Sequence, residues 1–262
     1  MFGALAAVGR STLDLLAGVG RVFAFSFWSL RGMTRLPGIL PTTVETTLRL
    51  TLRCALPVAL VITPLGAMLA LQALQMLHSF GVERQLAPLA ASMIVRELAP
   101  GFAAVVVAMQ GGAGIAAELA AMKKDDELAA LDVMGLDSKS LVAGPRIVGA
   151  AIAAPLLNAL AIATGIAGTY AMGVLVLGVP RALFLDSVLD GIAPGDLLVS
   201  ELKAVVFGLT LGSVCAAAGT FAQPTAAGIG AAANRGVVTS VILILLFNYL
   251  LNTAIFGLQG GS

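Results

Sequence analysis

Five apolar stretches dominate the chain, over about residues 54–77, 86–117, 141–178, 202–222 and 236–258. Each reaches the roughly 20 residues that a helix needs to cross a bilayer. Inside hydrocarbon a segment must satisfy its own backbone N–H and C=O groups, so runs of this length fold as helices. The rest of the chain agrees: 59% of residues are hydrophobic and only 11% charged, with a mean hydropathy of +1.00. That leaves too little polar surface to wrap a soluble domain. The expected fold is an all-α integral membrane protein with about five transmembrane helices. The 262 residues leave no room for a large soluble domain beside the spans, so any enzyme that powers this chain is expected to be a separate polypeptide.

The segments between the spans are distinctive. Over residues 1–36, the charges Arg10, Asp14, Arg21, Arg31 and Arg35 fall in an arc of roughly 100° on a helical wheel. The remainder is apolar, with Phe23, Phe25, Phe27 and Trp28 suited to the headgroup boundary. This pattern predicts an amphipathic helix lying in the membrane interface. Pro37 and Pro41 are expected to break it, and a polar connector with Thr42, Thr43, Glu45, Arg49 and Arg53 to lead into the first span. Pro57, Pro64 and Gly66 make that span unlike a straight cylinder. Between the second and third spans, a charged run from Glu118 to Glu127 continues to Asp137. It predicts a short helix over about 118–138 that stays in water and offers a soluble partner a handle on the membrane domain. The acidic loop 180–200 has room for a short external helix. The N-terminal arm holds six Lys and Arg, the 118–146 segment four and the 223–235 loop one, against four in the two opposite loops together. The positive-inside rule therefore places the N-terminus and the 118–138 segment in the cytoplasm.

Several chemistries lack their residues. A net charge of +1 gives no concentrated basic surface for nucleic acid. Cys54 and Cys215 sit in apolar surroundings and read as packing residues. His78 is the single histidine, so bis-histidine haem ligation, a zinc H-E-x-x-H motif and a Ser-His hydrolase are unsupported. None of the four lysines follows a glycine as a phosphate-binding loop requires, so ATP is bound elsewhere and this chain is expected to bind no cofactor. The small-residue run Gly111-Gly112-Ala113-Gly114, Gly165 with Gly168, and Gly208 with Gly212 predict close helix packing, within or between protomers.

Few polar residues remain for a site inside the membrane. Arg96 and Glu97 sit about ten residues into the second run, Glu201 and Lys203 head the fourth, and Asn248 and Asn252 lie one turn apart in the fifth. Ionisable groups at that depth are costly unless paired or wet. Arg96, Glu97, Lys203, Asn248 and Asn252 are therefore candidates for the polar end of a cavity for an amphipathic substrate. Anchoring of the helix ends is the other reading for Arg96 and Glu97, and the preferred one for Glu201.

The ordered set Arg96-Glu-Leu-Ala-Pro100, Ala113-Gly114, Ala117-Glu118, Met122, Glu127, Leu131, Met134-Gly135, Asp137 and Pro145-Arg146 resembles the signature of the MlaE/YrbE permease family. Pro224-Thr-Ala-Ala-Gly-Ile-Gly230 through Val237-Val238-Thr-Ser240 resembles its second signature, and the likeness covers about residues 45–258. It implies an ABC transporter permease, homodimeric or paired, moving phospholipid or a related lipid across the envelope. Implied partners are an ABC ATPase carrying ATP and Mg, an Mce-domain (MlaD-like) protein outside the bacterial inner membrane, and in many systems a STAS-domain (MlaB-like) protein inside. The ATPase would engage a coupling segment holding Glu118, Met122, Lys124, Glu127, Leu128, Leu131, Met134, Gly135 and Asp137, with Leu128, Leu131 and Gly135 on one side. The chain departs from the pattern at Gln110, Ser138 and Asn248, where relatives carry Arg, Pro and Asp. An ATP-independent secondary transporter or channel, and a non-transporting scaffold, are the alternatives.

Overall fold

The computed structural model describes residues 2–33, 39–78 and 86–256. Arg35, Pro37 and the end of the fifth expected span lie outside these residues, as do the side chains of Arg10, Asp14 and His78. Among the described residues eight helical segments of seven residues or more follow one another: α1 (Phe2–Met33), α2 (Ile39–His78), α3 (Ala87–Lys124), α4 (Glu127–Val133), α5 (Lys139–Val176), α6 (Arg181–Val188), α7 (Pro194–Thr220) and α8 (Ala226–Phe256). Helices α2, α3, α5, α7 and α8 are long and apolar enough to cross a membrane, and α1 is not among them. The molecule is an all-α, multi-pass membrane protein.

The spans are longer than their apolar runs. The polar connector before residue 54 is in fact the first turns of α2. Pro41 falls in the opening turn, where its missing N–H has no partner to lose. The hydroxyls of Thr43, Thr46, Thr47 and Thr51 each donate to the carbonyl four residues back, and Arg49 pairs with Glu45 at 2.6 Å one turn away. A helix that satisfies its polar side chains internally can leave the hydrocarbon without stopping, and α7 and α8 likewise begin ahead of their apolar runs.

The charged run 118–138 also differs from a single inserted helix. Glu118, Met122 and Lys124 belong to the end of α3, which stops at a turn where Asp126 takes a left-handed φ of 58°. The separate helix α4 is only seven residues long. It ends at Met134-Gly135, where Gly135 has φ 77°, a conformation that only glycine adopts without strain.

Helices α3 and α5 are the most buried spans and α8 the least. Helix α5 packs on α2 and α7, and α7 on α8 and the end of α3. The core between them stacks Cys54, Val58 and Ile62 with Ile94 and Val95, Ile147 and Leu157, and Phe207 and Leu211. Small residues set these distances. A Cβ on Gly208 would stand 2.5 Å from the Ala150 carbonyl oxygen, and one on Gly168 would overlap the Thr63 carbonyl. The glycine pairs therefore serve contacts within the chain, α7 on α5 and α5 on α2. Helix α1 lies across the charged-turn end: Phe25 meets Phe221 edge-on at 5.5 Å, and Gly32 abuts Ser140. Phe23, Phe27 and Trp28 remain exposed on it.

Candidate functional site

At residue 100 of α3 stands a proline, which has no N–H to give the carbonyl of Arg96 four residues earlier. The helix widens into a π-turn over Ile94–Leu98, which relieves the clash of the proline ring with that carbonyl. The freed oxygen of Arg96 accepts instead from Lys203 Nζ of α7 at 2.9 Å. Thus the local sequence Arg-Glu-Leu-Ala-Pro creates an acceptor inside the bundle, and a buried lysine from another helix fills it.

A network grows from this bond. Lys203, 1% exposed, also donates to Asn252 Oδ1 of α8 and lies 3.8 Å from Glu97 Oε1. Asn252 Nδ2 donates to Glu97 Oε2 at 2.6 Å, and Asn248 Nδ2 reaches the same oxygen at 3.4 Å. Arg96 points to the other side and pairs with Asp196 in the first turn of α7 at 2.9 Å. Lys203 and Arg96 both lie nine residues from the start of their helices, roughly 14 Å along the axis. The network is therefore inside the bundle, with Glu97 and Arg96 each 43% exposed at its open edge. A cation buried that deeply is tolerable because three oxygens surround it.

All five residues singled out for the site, Arg96, Glu97, Lys203, Asn248 and Asn252, come together here. Others were missed. Asp196 reads as loop in the sequence but is buried and pairs with Arg96; its place seven residues before Lys203, on the same helix face, was the available signal. Asn158, fully buried in α5, donates to Ser200 Oγ at 2.9 Å and to Glu201 Oε1 at 3.2 Å. An asparagine in the middle of an apolar run marks such an interhelical contact.

At the opposite end, the coupling residues separate into two groups. Glu118 pairs with Arg146 of α5 at 3.3 Å, Lys124 with Asp125 at 2.9 Å, and Lys123 caps α7 by donating to the Thr220 carbonyl at 2.9 Å. Leu128 is buried in the chain's own core, with Met122 and Leu131 packed against that core. Glu127, Met134, Gly135 and Asp137 are exposed. The apolar groups at the tip are thus Val133, 88% exposed, and Met134, with Leu136 beside them, rather than the Leu128–Leu131 side. Asp132 accepts from the N–H of Ser138 at 3.1 Å. Asp137 accepts from the N–H of Lys139 at 3.2 Å and from the Ser140 hydroxyl. These bonds hold the tip at the start of α5.

A protein-family model described as Permease MlaE matches residues 43–254. A probable ABC transporter permease protein of Rickettsia conorii is 31% identical over 98% of this chain and 99% of its own length. The intermembrane phospholipid transport system permease protein MlaE of Haemophilus influenzae is 29% identical over 97% of each chain. The chloroplastic protein trigalactosyldiacylglycerol 1 of Arabidopsis thaliana is 26% identical over 76% of this chain and 57% of its own length.

Proposed function

Because the chain belongs to the MlaE permease family, we propose that it is the membrane permease subunit of an ABC transporter. Its cargo is phospholipid or a related lipid, and a separate cytoplasmic ATPase drives it. The observation that carries the reading is the Lys203–Glu97–Asn252 network, a polar cluster built by three otherwise apolar helices. Such a site suits an amphiphile: Arg96 and Lys203 attract a headgroup phosphate, while the apolar walls take acyl chains. Asn248 and Asn252 orient the Glu97 carboxylate, which holds the lysine in place when no headgroup is present.

Force enters at the other end. The ATPase seats on the exposed tip formed by Val133, Met134 and Leu136, flanked by Glu127 and Asp137. Movement of the tip passes to α5 through Glu118–Arg146 and to α7 through Lys123–Thr220, so that α3, α5 and α7 shift together and alter the network. ATP and Mg sit on the ATPase. An Mce-domain protein receives or delivers the lipid at the network end, a STAS-domain protein supports the ATPase, and two permease chains form the membrane unit. The chain resides in a bacterial inner membrane with its N-terminus in the cytoplasm.

Affinity purification in mild detergent, with mass spectrometry of proteins and lipids, tests this. The expected result is an ABC ATPase and an Mce-domain protein with enriched phospholipid. A lone chain with bulk-membrane lipid would refute it in favour of an ATP-independent transporter or a scaffold.

A further inference from the structure

A polar cavity of about 190 Å³ opens between α2, α3 and α5 at the charged-turn end, opposite the Lys203 network. Its walls carry three guanidinium groups, Arg49, Arg53 and Arg146, and two carboxylates, Glu45 and Glu118. Both carboxylates are already engaged, Glu45 by Arg49 and Glu118 by Arg146. Arg53 is different: among the described residues it has no hydrogen-bond or ion-pair partner. Its guanidinium lies across α3 at a glycine, with Nη1 3.1 Å from where a Cβ on Gly114 would stand. The cavity therefore presents one uncompensated positive charge, with a donor fork suited to the oxygens of a phosphate. At about 190 Å³ it is smaller than the roughly 300–1,000 Å³ of a pocket that encloses a drug-sized molecule. It fits a headgroup, not a whole lipid.

The helix face beyond the cavity points to what is attached. Residues three, four and seven apart share a face, so the face of Arg49 and Arg53 continues toward the middle of the span as Leu56 and Leu60. Both leucines are about two-thirds exposed, at 66% and 64%. A cationic pocket opening onto an apolar track on one helix matches an amphiphile with a phosphate head.

We propose that the Arg53 cavity is a phosphate site that takes the phosphodiester headgroup of a membrane glycerophospholipid at the charged-turn face. It is separate from the Lys203 network, and its assignment to the cytoplasmic leaflet rests on the permease reading given above. A permease with one station at each membrane face holds its cargo at either end of the bundle.

The test uses the purified full chain in dodecyl maltoside and a phosphatidylglycerol probe carrying a photoreactive diazirine in its headgroup. Labelled peptides are mapped by mass spectrometry. Labelling is expected within residues 42–53 and 111–118, to fall about tenfold in Arg53→Gln, and to persist in Arg53→Lys, as a charge-assisted phosphate contact predicts. Gly114→Val, which fills the space under the guanidinium without changing charge, is expected to reduce the same labels. Unlabelled phosphatidylglycerol should compete, while millimolar inorganic phosphate should not. Competition by phosphate alone would support the phosphate chemistry and reassign the source to a free anion. Unchanged labelling in Arg53→Gln, or equal competition by dioleoylglycerol, would overturn the proposal. No ATPase is needed, so this result is independent of copurification.

Discussion

Replacing Lys203 with Met tests whether a missing N–H at Pro100 is what makes the lysine necessary. The substitution keeps an apolar stem of similar length and removes the ammonium. It removes the lysine donor from the Arg96 carbonyl, which Pro100 cannot serve, and from the Asn252 side-chain carbonyl, and it takes the cation from Glu97. Each donor lost to a buried acceptor costs about 1–3 kcal/mol. Relief of the lysine's own desolvation offsets part of this, leaving a loss of about 2–3 kcal/mol. For a chain of this size that lowers the unfolding midpoint by roughly 4–12 °C. A thiol-reactive dye reads the transition directly, because Cys54 and Cys215 are both fully buried and react only on unfolding. Adding Pro100→Ala restores an N–H four residues after Arg96, so it should recover about 1 kcal/mol in the Lys203→Met background while leaving the wild type little changed. An equal effect of Pro100→Ala in both backgrounds, or an unshifted midpoint for Lys203→Met, would refute the reasoning.

Other substitutions probe separate links. Met134→Asp is expected to abolish ATPase copurification with an unchanged unfolding midpoint, since the side chain touches solvent, whereas Leu128→Asp should destabilise the chain by burying a charge; equal loss of stability in both would place the docking surface elsewhere. Gly208→Val drives a side chain into the Ala150 carbonyl and Ala154, and overpacking of this kind costs about 1–3 kcal/mol or more, visible as a lowered midpoint and a broadened size-exclusion peak. Asp137→Ala removes the cap on the start of α5, for about 1 kcal/mol, and proteolysis in the 133–139 turn should quicken. Asp196→Asn leaves Arg96 without its carboxylate, so it should change the lipid copurified with the chain while the fold stays intact.

Composition and apolar run length alone determined the class of this protein and the number of its spans. Hydrocarbon allows only self-satisfied helices, so a run of about 20 apolar residues leaves no other choice. The same physics picked out Arg96, Glu97, Lys203, Asn248 and Asn252, because a polar group in such a run is costly wherever it lands. Their assembly was not legible. Residues 97 and 252 meet only because α3, α7 and α8 pack in one order, with close contacts made possible by glycines at particular positions. Asp196 shows the limit from the other side: it sits outside the apolar run and reads as loop, yet the fold buries it against Arg96. The tip of α4 shows it again. The three-residue spacing puts Leu128 and Leu131 on one face of α4, and either side of a short helix can face the bundle. Packing of Leu128 into the core turned that face inward and left Val133 and Met134 to solvent. Sequence periodicity states which residues travel together, and only the tertiary contacts decide which way they point, because burial is a property of the neighbours.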